Sequence, residues 1–254
     1  MPSSFSTPAI LLRRVDFGDD DLILTFFTSD RGKVTAIAKS AKKSIRRFSG
    51  ILEMFSVLHV VCVRSRGLPI LHEAELKQAF TSIRSDIKKA AYASYWAELI
   101  NEWIEADEQQ IQLYHLFQHV LEALDIGMIP APVLSILFQM RFMKIGGFYP
   151  NLSHCGICGA EMETMRKNRV MFDIPRGEMI CEKCDAGASQ RVFLSKGTIK
   201  QLLWIAGGDL EKAGRIRFTP LSLKEGLTFL ETFVPYHIGK TPRSLGFLRQ
   251  IRKL

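Results

Sequence analysis

The sequence has no uninterrupted apolar stretch close to the ~20 residues that a helix needs to cross a bilayer. It also has no basic residue ahead of the short apolar run at 9–12, so no secretory signal is visible. These absences predict a chain that stays in the reducing cytoplasm. In that compartment, the five cysteines are expected to be metal ligands or buried thiols before disulfides.

The common catalytic motifs are also missing. The sequence contains neither an H-E-x-x-H metalloprotease motif nor a G-x-S-x-G nucleophile elbow. Gly239-Lys240-Thr241 has the ending of a phosphate-binding loop, but Val234 stands where that loop requires its first glycine. Ile180 stands where the zinc deaminases have a proline before a C-x-x-C pair. We therefore expect a binding protein and not an enzyme.

The length and charge of the chain limit how it can be organised into domains. Its 254 residues are close to the upper limit for a single hydrophobic core, so two or three small domains are expected. The net charge of +8 is uneven, because residues 1–80 carry 12 basic against 8 acidic side chains and residues 191–254 carry 12 against 4. Two basic ends favour a polyanionic partner such as a nucleic acid.

The first 80 residues are predicted to form a β domain. Five short segments rich in Val, Ile, Leu, Phe and Thr are separated by turn signals. They span residues 9–15, 22–28, 33–39, 55–64 and 69–76. Five short antiparallel strands in this length fit a small closed barrel, for which an OB-fold and an SH3-like barrel are both open.

From residue 82 onward the pattern is helical. Ser82 is expected to cap a first helix, whose apolar stripe is Ile87, Ala91, Tyr95 and Leu99. Further helices are predicted over residues 108–126, 132–145, 195–206 and 222–237. The last of these is expected to begin with a capping box formed by Ser222 and Glu225. The sequence thus predicts an α+β protein, with a barrel followed by a helical body.

Four cysteines form two C-x-x-C pairs, Cys155 with Cys158 and Cys181 with Cys184. Each pair can place two thiolates on one metal from a tight turn, and the segments 169–173 and 178–180 between the pairs predict a hairpin. This is the layout of a zinc ribbon, in which four sulfurs form a closed site with no open position for water. We therefore predict one structural Zn²⁺, with His154 as a bystander. The fifth cysteine, Cys62, lies in an apolar strand and is expected to be a buried small hydrophobe.

Between Asp30 and Glu53 the chain has no acidic residue and seven basic ones. They are Arg31, Lys33, Lys39, Lys42, Lys43, Arg46 and Arg47. On a small barrel they would form a positive lip, where cations in a row bind phosphates and Phe48 could stack a base. A loop kept soluble by its charge is the alternative interpretation.

The same segment resembles a known family. Residues 32–43, GKVTAIAKSAKK, and 46–52, RRFSGIL, resemble the N-terminal signature of the bacterial recombination mediator family RecO. FQMRFMKIGGF at 138–148 resembles the helix before that family's cysteine module, and SLGFLR at 244–249 resembles its C-terminal ending. Ser40 stands where the family usually has glycine, which affects the shape of the loop but leaves its basic residues in place.

The resemblance implies an N-terminal OB-fold and a helical C-terminal domain that is interrupted by a zinc module. It implies a protein that binds single- and double-stranded DNA and anneals complementary strands. The implied partners are RecR, in many bacteria RecF, and the acidic tail of single-stranded DNA-binding protein. Together they help RecA to displace that protein from gapped DNA during repair, which implies a cytoplasmic location with nucleoid association during repair.

The helix at 132–145 carries a candidate site for the acidic tail that the resemblance implies. Arg141 and Lys144 lie three residues apart, so they share a face near the end of that helix. Met140 and Met143 are expected to border the pair with pliable apolar side chains. The alternative is a pair of cations that is favoured by the negative end of the helix dipole.

We therefore predict four segments. Residues 1–80 form an OB-fold DNA-binding domain, residues 81–150 and 191–254 form the two parts of a helical domain, and residues 151–190 form the zinc module. Two other functions stay open at this stage. A metal-dependent nuclease would use scattered carboxylates such as Asp19-Asp20-Asp21, although a hairpin turn of solvated acids explains these better. A zinc-ribbon RNA-binding protein is the other alternative.

Overall fold

The structure is a computed structural model that describes residues 4–44, 47–187 and 190–253. It contains two compact units, one formed by Met1–Ile126 with Gly246–Leu254 and the other by Gly127–Leu245. The boundary between them falls inside the predicted first helical segment, 81–150. No helix in the described residues is long and apolar enough to cross a bilayer.

The first unit begins with five strands, as predicted. They are β1 (Ser4–Phe17), β2 (Asp21–Thr28), β3 (Gly32–Ala38), β4 (Val57–Val63) and β5 (Ile70–Gln78). The strands form a closed barrel in the order β1-β2-β3-β5-β4, with β1 paired to β4. The prediction that all neighbours are antiparallel is wrong at one place. At that place β3 and β5 are parallel and are paired through Ile37 and Ile70. They are parallel because β4 lies between them in the sequence and runs antiparallel to β5.

The barrel core follows from the two-residue period of the strands. Leu22, Leu24 and Phe26 alternate along β2 and are at most 2% exposed, whereas the residues between them lie on the other face. Cys62 is fully buried in this core, as predicted, and burial raises the pKa of its thiol to about 11. That pKa keeps the thiol protonated at neutral pH, so Cys62 acts as a small apolar side chain.

Three helices complete the described part of the first unit before Ile126. They are α1 (Thr81–Ser85), α2 (Ile87–Trp103) and α3 (Ile111–Ile126). The prediction that Ser82 caps the main helix is wrong, because Asp86 does so and its carboxylate accepts hydrogen bonds from the amides of Lys88 and Lys89. Ile87 is consequently the first residue of α2 and is 60% exposed, whereas the rest of the predicted stripe is buried.

The second unit joins helices to a small sheet. Its elements are α4 (Ala131–Ile145), β6 (Asn151–Cys155), β7 (Arg169–Asp173), β8 (Glu178–Ile180), β9 (Arg191–Ser195), α5 (Lys196–Ala206), α6 (Leu210–Ala213) and α7 (Pro220–Ile238). A last helix, α8 (Arg243–Ile251), begins at the end of this unit. The sheet has the order β6-β8-β7-β9, so the predicted hairpin of β7 and β8 is confirmed and two flanking strands are added to it.

The predicted capping box at Ser222 is wrong. Thr219 caps α7 instead, because its side chain accepts a hydrogen bond from the amide of Ser222 and Pro220 occupies the first helical position. The carboxylate of Glu225 is used elsewhere, since it accepts hydrogen bonds from Ser195 and Thr198 at the start of α5. Glu225 therefore joins two helices rather than closing the end of its own.

Candidate metal centre and nucleic-acid interface

The four paired cysteines converge on one point of the second unit. The Sγ atoms of Cys155, Cys158, Cys181 and Cys184 all lie within 4.8 Å of one another. Among the described residues, no His, Asp or Glu joins this group, so His154 stays outside it. Four sulfurs at this spacing match the donor set of a closed tetrahedral metal site.

Two turns of the backbone place these sulfurs. Cys155 ends β6, and the following turn is closed by hydrogen bonds from the Cys155 amide to the Ala160 carbonyl (2.8 Å) and from the Gly159 amide to the Cys155 carbonyl (2.9 Å). Cys181 directly follows β8, and its own turn is closed from the Cys184 amide to the Cys181 carbonyl. The hairpin between the pairs therefore fixes the distance between the two turns.

The pKa values of the thiols differ within the cluster. Burial raises the pKa of Cys155, but hydrogen bonds from the backbone amides of Cys158, Cys181 and Ile157 outweigh burial and lower that pKa to about 6. The pKa of Cys184 is raised to about 12 by its contacts with the side chains of Cys158 and Cys181. Four crowded thiols cannot all lose their protons unless a positive charge balances them, and the closeness of the four sulfurs means that the cluster could hold a metal ion.

The predicted basic segment lies on the first unit, where it begins at the β2–β3 turn and fills the connection from β3 to β4. Lys39, Lys42, Lys43 and Arg47 are exposed there, whereas Arg46 lies outside the described residues. The other two predicted residues make specific contacts, since the ammonium group of Lys33 donates to the carbonyl of Asn101 and the guanidinium group of Arg31 lies over the ring of Phe5. The structure thus brings four of the seven side chains together at one surface.

Acidic side chains of the β1–β2 hairpin face this basic loop, although no pattern in the sequence predicts these contacts. The ammonium group of Lys42 lies 3.1 Å from the carboxylate of Asp16, and that of Lys43 lies 2.7 Å from Asp20. Asp21 accepts a hydrogen bond from the amide of Ser40. The acids therefore hold the loop, and among the described residues they do not gather into a cluster of metal ligands that would suit a nuclease.

The structure contradicts the expectation that Phe48 stacks a base. Phe48 is 4% exposed and belongs to the barrel core, because the loop packs Ala41, Phe48 and Leu52 against the apolar side chains of the strands. Its ring lies beneath Arg47, whose guanidinium carbon is 5.0 Å from the ring centre. A cavity of about 220 Å³ opens beside it, with Arg14, Lys42 and Glu53 among its lining residues.

Arg141 and Lys144 bind the end of a neighbouring helix. Arg141 donates to the carbonyls of Ile205, Gly207 and Gly208, and Lys144 donates to the carbonyl of Ala206. These contacts satisfy carbonyls that have no partner within α5. The expectation that Met140 and Met143 offer accessible apolar side chains beside the pair is wrong, because both are fully buried.

The comparisons with known proteins cover nearly the whole chain. The family model described as Recombination protein O N terminal matches residues 1–80, and the one described as Recombination protein O C terminal matches residues 84–246. The chain is 43% identical to DNA repair protein RecO of Desulfosudis oleivorans over 98% of both chains. It is 41% identical to DNA repair protein RecO of Desulfatibacillum aliphaticivorans over 98% of this chain and 97% of that relative.

A more distant relative gives the same result. DNA repair protein RecO of Geobacter metallireducens is 32% identical over 98% of both chains. The family is determined by two kinds of match. Two family models leave only short segments of the chain uncovered, and the full-length relatives are more than 30% identical. The chain belongs to the RecO family of proteins, which act in DNA repair and recombination.

Proposed function

We propose that the chain is a DNA-binding recombination mediator, which anneals complementary strands and helps to load RecA on gapped DNA coated with single-stranded DNA-binding protein. The observation that carries this proposal is the exposed group of Lys39, Lys42, Lys43 and Arg47 on the barrel of a RecO-family chain. Contacts to phosphates carry no sequence information, so such a surface binds any DNA sequence, as annealing requires. Annealing needs charge neutralisation and strand alignment, and no catalytic group is part of the proposal.

The domain roles follow from this function. Residues 1–80 are the DNA-binding domain, and the closed five-stranded barrel with β1 paired to β4 supports its assignment as an OB-fold. Residues 81–150 and 191–254 supply the helical body. Residues 151–190 are the cysteine module, whose four sulfurs support one structural Zn²⁺. The proposed location is the cytoplasm, with nucleoid association during repair.

The proposed protein partners are RecR, the acidic tail of single-stranded DNA-binding protein and, more distantly, RecF and RecA. Arg141 and Lys144 are the proposed contacts for the acidic tail, although they already donate to carbonyls at the end of α5. An Arg141→Glu variant is therefore expected to bind a tail peptide more weakly than the parent at moderate salt. Equal binding, measured by fluorescence anisotropy, would place the tail site elsewhere.

One experiment tests the proposed function directly. Complementary oligonucleotides are each coated with single-stranded DNA-binding protein and mixed with and without the chain, and duplex formation is followed by energy transfer between dyes. We expect the coated oligonucleotides to anneal faster in the sample with the chain than in the sample without it. An unchanged annealing rate would overturn the proposal. Magnesium-dependent cleavage of the labelled DNA would indicate a nuclease instead, and a preference for RNA over DNA would indicate an RNA-binding protein.

A further inference from the structure

The strand β9 carries an exposed aromatic ring between two arginines. Phe193 is 40% exposed, and the guanidinium carbons of Arg169 and Arg191 lie 5.7 and 5.8 Å from the centre of its ring. The strand pairing explains this arrangement. Phe193 is paired with Met171 of β7, so that Arg191 lies two residues before it and Arg169 lies on the same side of the neighbouring strand.

The acidic side chains near this group leave both arginines open to a further anion. The nearest carboxylates lie 3.9 Å from Arg191, at Asp185, and 4.0 Å from Arg169, at Glu225. Both separations exceed hydrogen-bond length, and the carboxylate of Glu225 is buried and already bound by Ser195 and Thr198. Each guanidinium group therefore offers donors for a phosphate, and both side chains are about half exposed or more.

Two further features favour a strand of nucleic acid at this position. The turn before β7 adds the exposed basic residues Arg166 and Lys167 beside Arg169. The strand β9, which carries Phe193, is an edge of the sheet, so no described strand of the second unit pairs with its outer edge. An exposed ring flanked by cations is the combination that binds single strands, because bases stack on the ring while the cations contact phosphates. A duplex keeps its bases stacked on one another and gains little from such a ring.

We propose that Phe193, Arg169 and Arg191 form a second contact for single-stranded DNA, in which a base stacks on Phe193 and the two arginines bind phosphates. This inference rests on the proposed DNA-binding function, and it adds a site separate from the basic loop of the barrel. A second contact of this kind would hold one strand while the barrel binds another.

The test uses the full chain and a single-stranded oligothymidylate with one 2-aminopurine, compared with a duplex of the same length. Phe193→Leu keeps an apolar side chain on the edge strand but removes the ring. We expect it to weaken single-strand binding roughly 5- to 100-fold, with duplex binding changed less than about twofold, and to abolish the quenching of 2-aminopurine. Phe193→Tyr keeps an aromatic ring and should bind single strands about as tightly as the parent. Trp204→Ala removes an exposed aromatic side chain of the same unit and should leave binding unchanged.

The arginines give an independent readout. An Arg169→Gln, Arg191→Gln variant should reduce the salt slope of single-strand binding by about 1.4, which corresponds to two lost phosphate contacts. The two outcomes can be told apart when the parent binds DNA and substitutions in the barrel loop weaken that binding. In that case, unchanged affinity and salt slope in the Phe193 variant and in the double-arginine variant would overturn the second site but not the proposed function. A parent that binds no DNA would overturn the proposed function as well. Loss of binding to an acidic peptide, with oligonucleotide binding intact, would show that this face binds protein instead.

Discussion

The carboxylate of Asp16 lies 3.1 Å from the ammonium group of Lys42, so the basic loop of the barrel carries its own counterion. Asp20 makes the same kind of contact with Lys43 at 2.7 Å. A phosphate that binds either lysine must compete with these carboxylates. In the proposed function, the hairpin acids therefore act against DNA binding while they hold the loop in place.

The first prediction follows from this competition. An Asp16→Asn, Asp20→Asn variant should bind a single-stranded oligonucleotide about 2- to 10-fold more tightly at low salt, because each exposed ion pair is worth up to ~1 kcal/mol. The gain should disappear at high salt, where exposed charges are screened. Fluorescence anisotropy titrations measure both effects. A Glu73→Gln, Glu122→Gln variant removes two exposed acids elsewhere in the unit, and equal tightening by that variant would show a general charge effect.

The second prediction concerns the loop itself. A Lys42→Ala, Lys43→Ala, Arg46→Ala, Arg47→Ala variant should bind DNA weakly and reduce the salt slope by about two to four units, because each lost phosphate contact removes ~0.7 on single strands and ~0.9 on duplex. Exposed loop charges contribute little to stability, so the melting temperature should stay close to that of the parent. The comparison variant lacks Arg249, Arg252 and Lys253. If that variant loses affinity and slope while the loop variant keeps both, the site lies at the C-terminal end.

The third prediction concerns the metal. Elemental analysis should find one zinc per chain, and Cys181→Ser should lose it and unfold at lower denaturant concentration than Cys62→Ser. The difference arises because the binding energy of a structural metal is also folding energy for a small module. In the presence of a chelator, hydrogen exchange should accelerate first within residues 150–190. Zinc-free protein that keeps full stability in chelator would contradict the prediction.

Patterns of two- and 3.6-residue period predicted most elements of the fold. The β7–β8 hairpin, most barrel strands and most long helices lie within a few residues of their predicted bounds, because each buries a periodic set of apolar side chains. The exceptions are β1, which begins at Ser4 and not at residue 9, and α2, which begins at Ile87 and not after Ser82. Helix ends were harder to predict. Ser82 and Ser222 both have the chemistry of a cap, but the neighbouring Asp86 and Thr219 take that role, and Glu225 is used by another helix.

The candidate sites divide in a similar way. The convergence of the four cysteines could be predicted, because two C-x-x-C pairs on one hairpin bring their sulfurs together by local geometry alone. The burial of Phe48 and the pairing of Asp16 with Lys42 could not, since both depend on how the loop folds back on the barrel. The group around Phe193 was missed for the same reason, because Arg169 and Arg191 are adjacent only through the pairing of β7 with β9.

The fourth prediction tests a tertiary contact at the start of the family motif. Gly32 has φ +59°, and an added Cβ would overlap the carbonyl oxygen of Glu108 and lie 2.8 Å from that of Glu105. The β2–β3 turn that contains Gly32 is also hydrogen-bonded to the α2–α3 connection. The Lys33 amide donates to the Glu105 carbonyl, and the Asp107 amide donates to the Arg31 carbonyl. Gly32→Ala should therefore lower the free energy of unfolding by about 2–4 kcal/mol.

The control for this prediction is Gly50→Ala. Gly50 has a similar φ of +70°, but nothing lies within 4 Å of an added Cβ. This substitution should cost only the backbone strain, about 1 kcal/mol. Chemical denaturation of the two variants measures the difference. Equal losses would show that the carbonyls of the α2–α3 connection move aside at little cost.

The fifth prediction is a pH dependence that originates at Glu225. Burial raises the pKa of this carboxyl, but hydrogen bonds from the Thr198 hydroxyl and from the Ser195 amide and hydroxyl, aided by the charge of Arg169, lower it more strongly. Its folded-state pKa therefore lies below the ordinary glutamate value of about 4.3. A carboxyl of this kind stabilises the fold above pH ~4.3, and that stabilisation is lost as the pH falls through the lowered folded-state pKa.

Glu225→Gln should accordingly reduce the free energy of unfolding at pH 7 by about 1–3 kcal/mol, because the hydroxyl and amide donors of Ser195 and Thr198 lose a charged acceptor. The difference between parent and variant should shrink as the pH falls below about 4.3 and through the lowered folded-state pKa of Glu225, since the parent then protonates the same group. Denaturant unfolding curves at several pH values measure this difference. Glu161→Gln, at an exposed acid of the same unit, should change stability little at any pH. A Glu225→Gln deficit that stays constant over the whole acid range in which the parent remains folded would show that the loss is one of packing and not of charge.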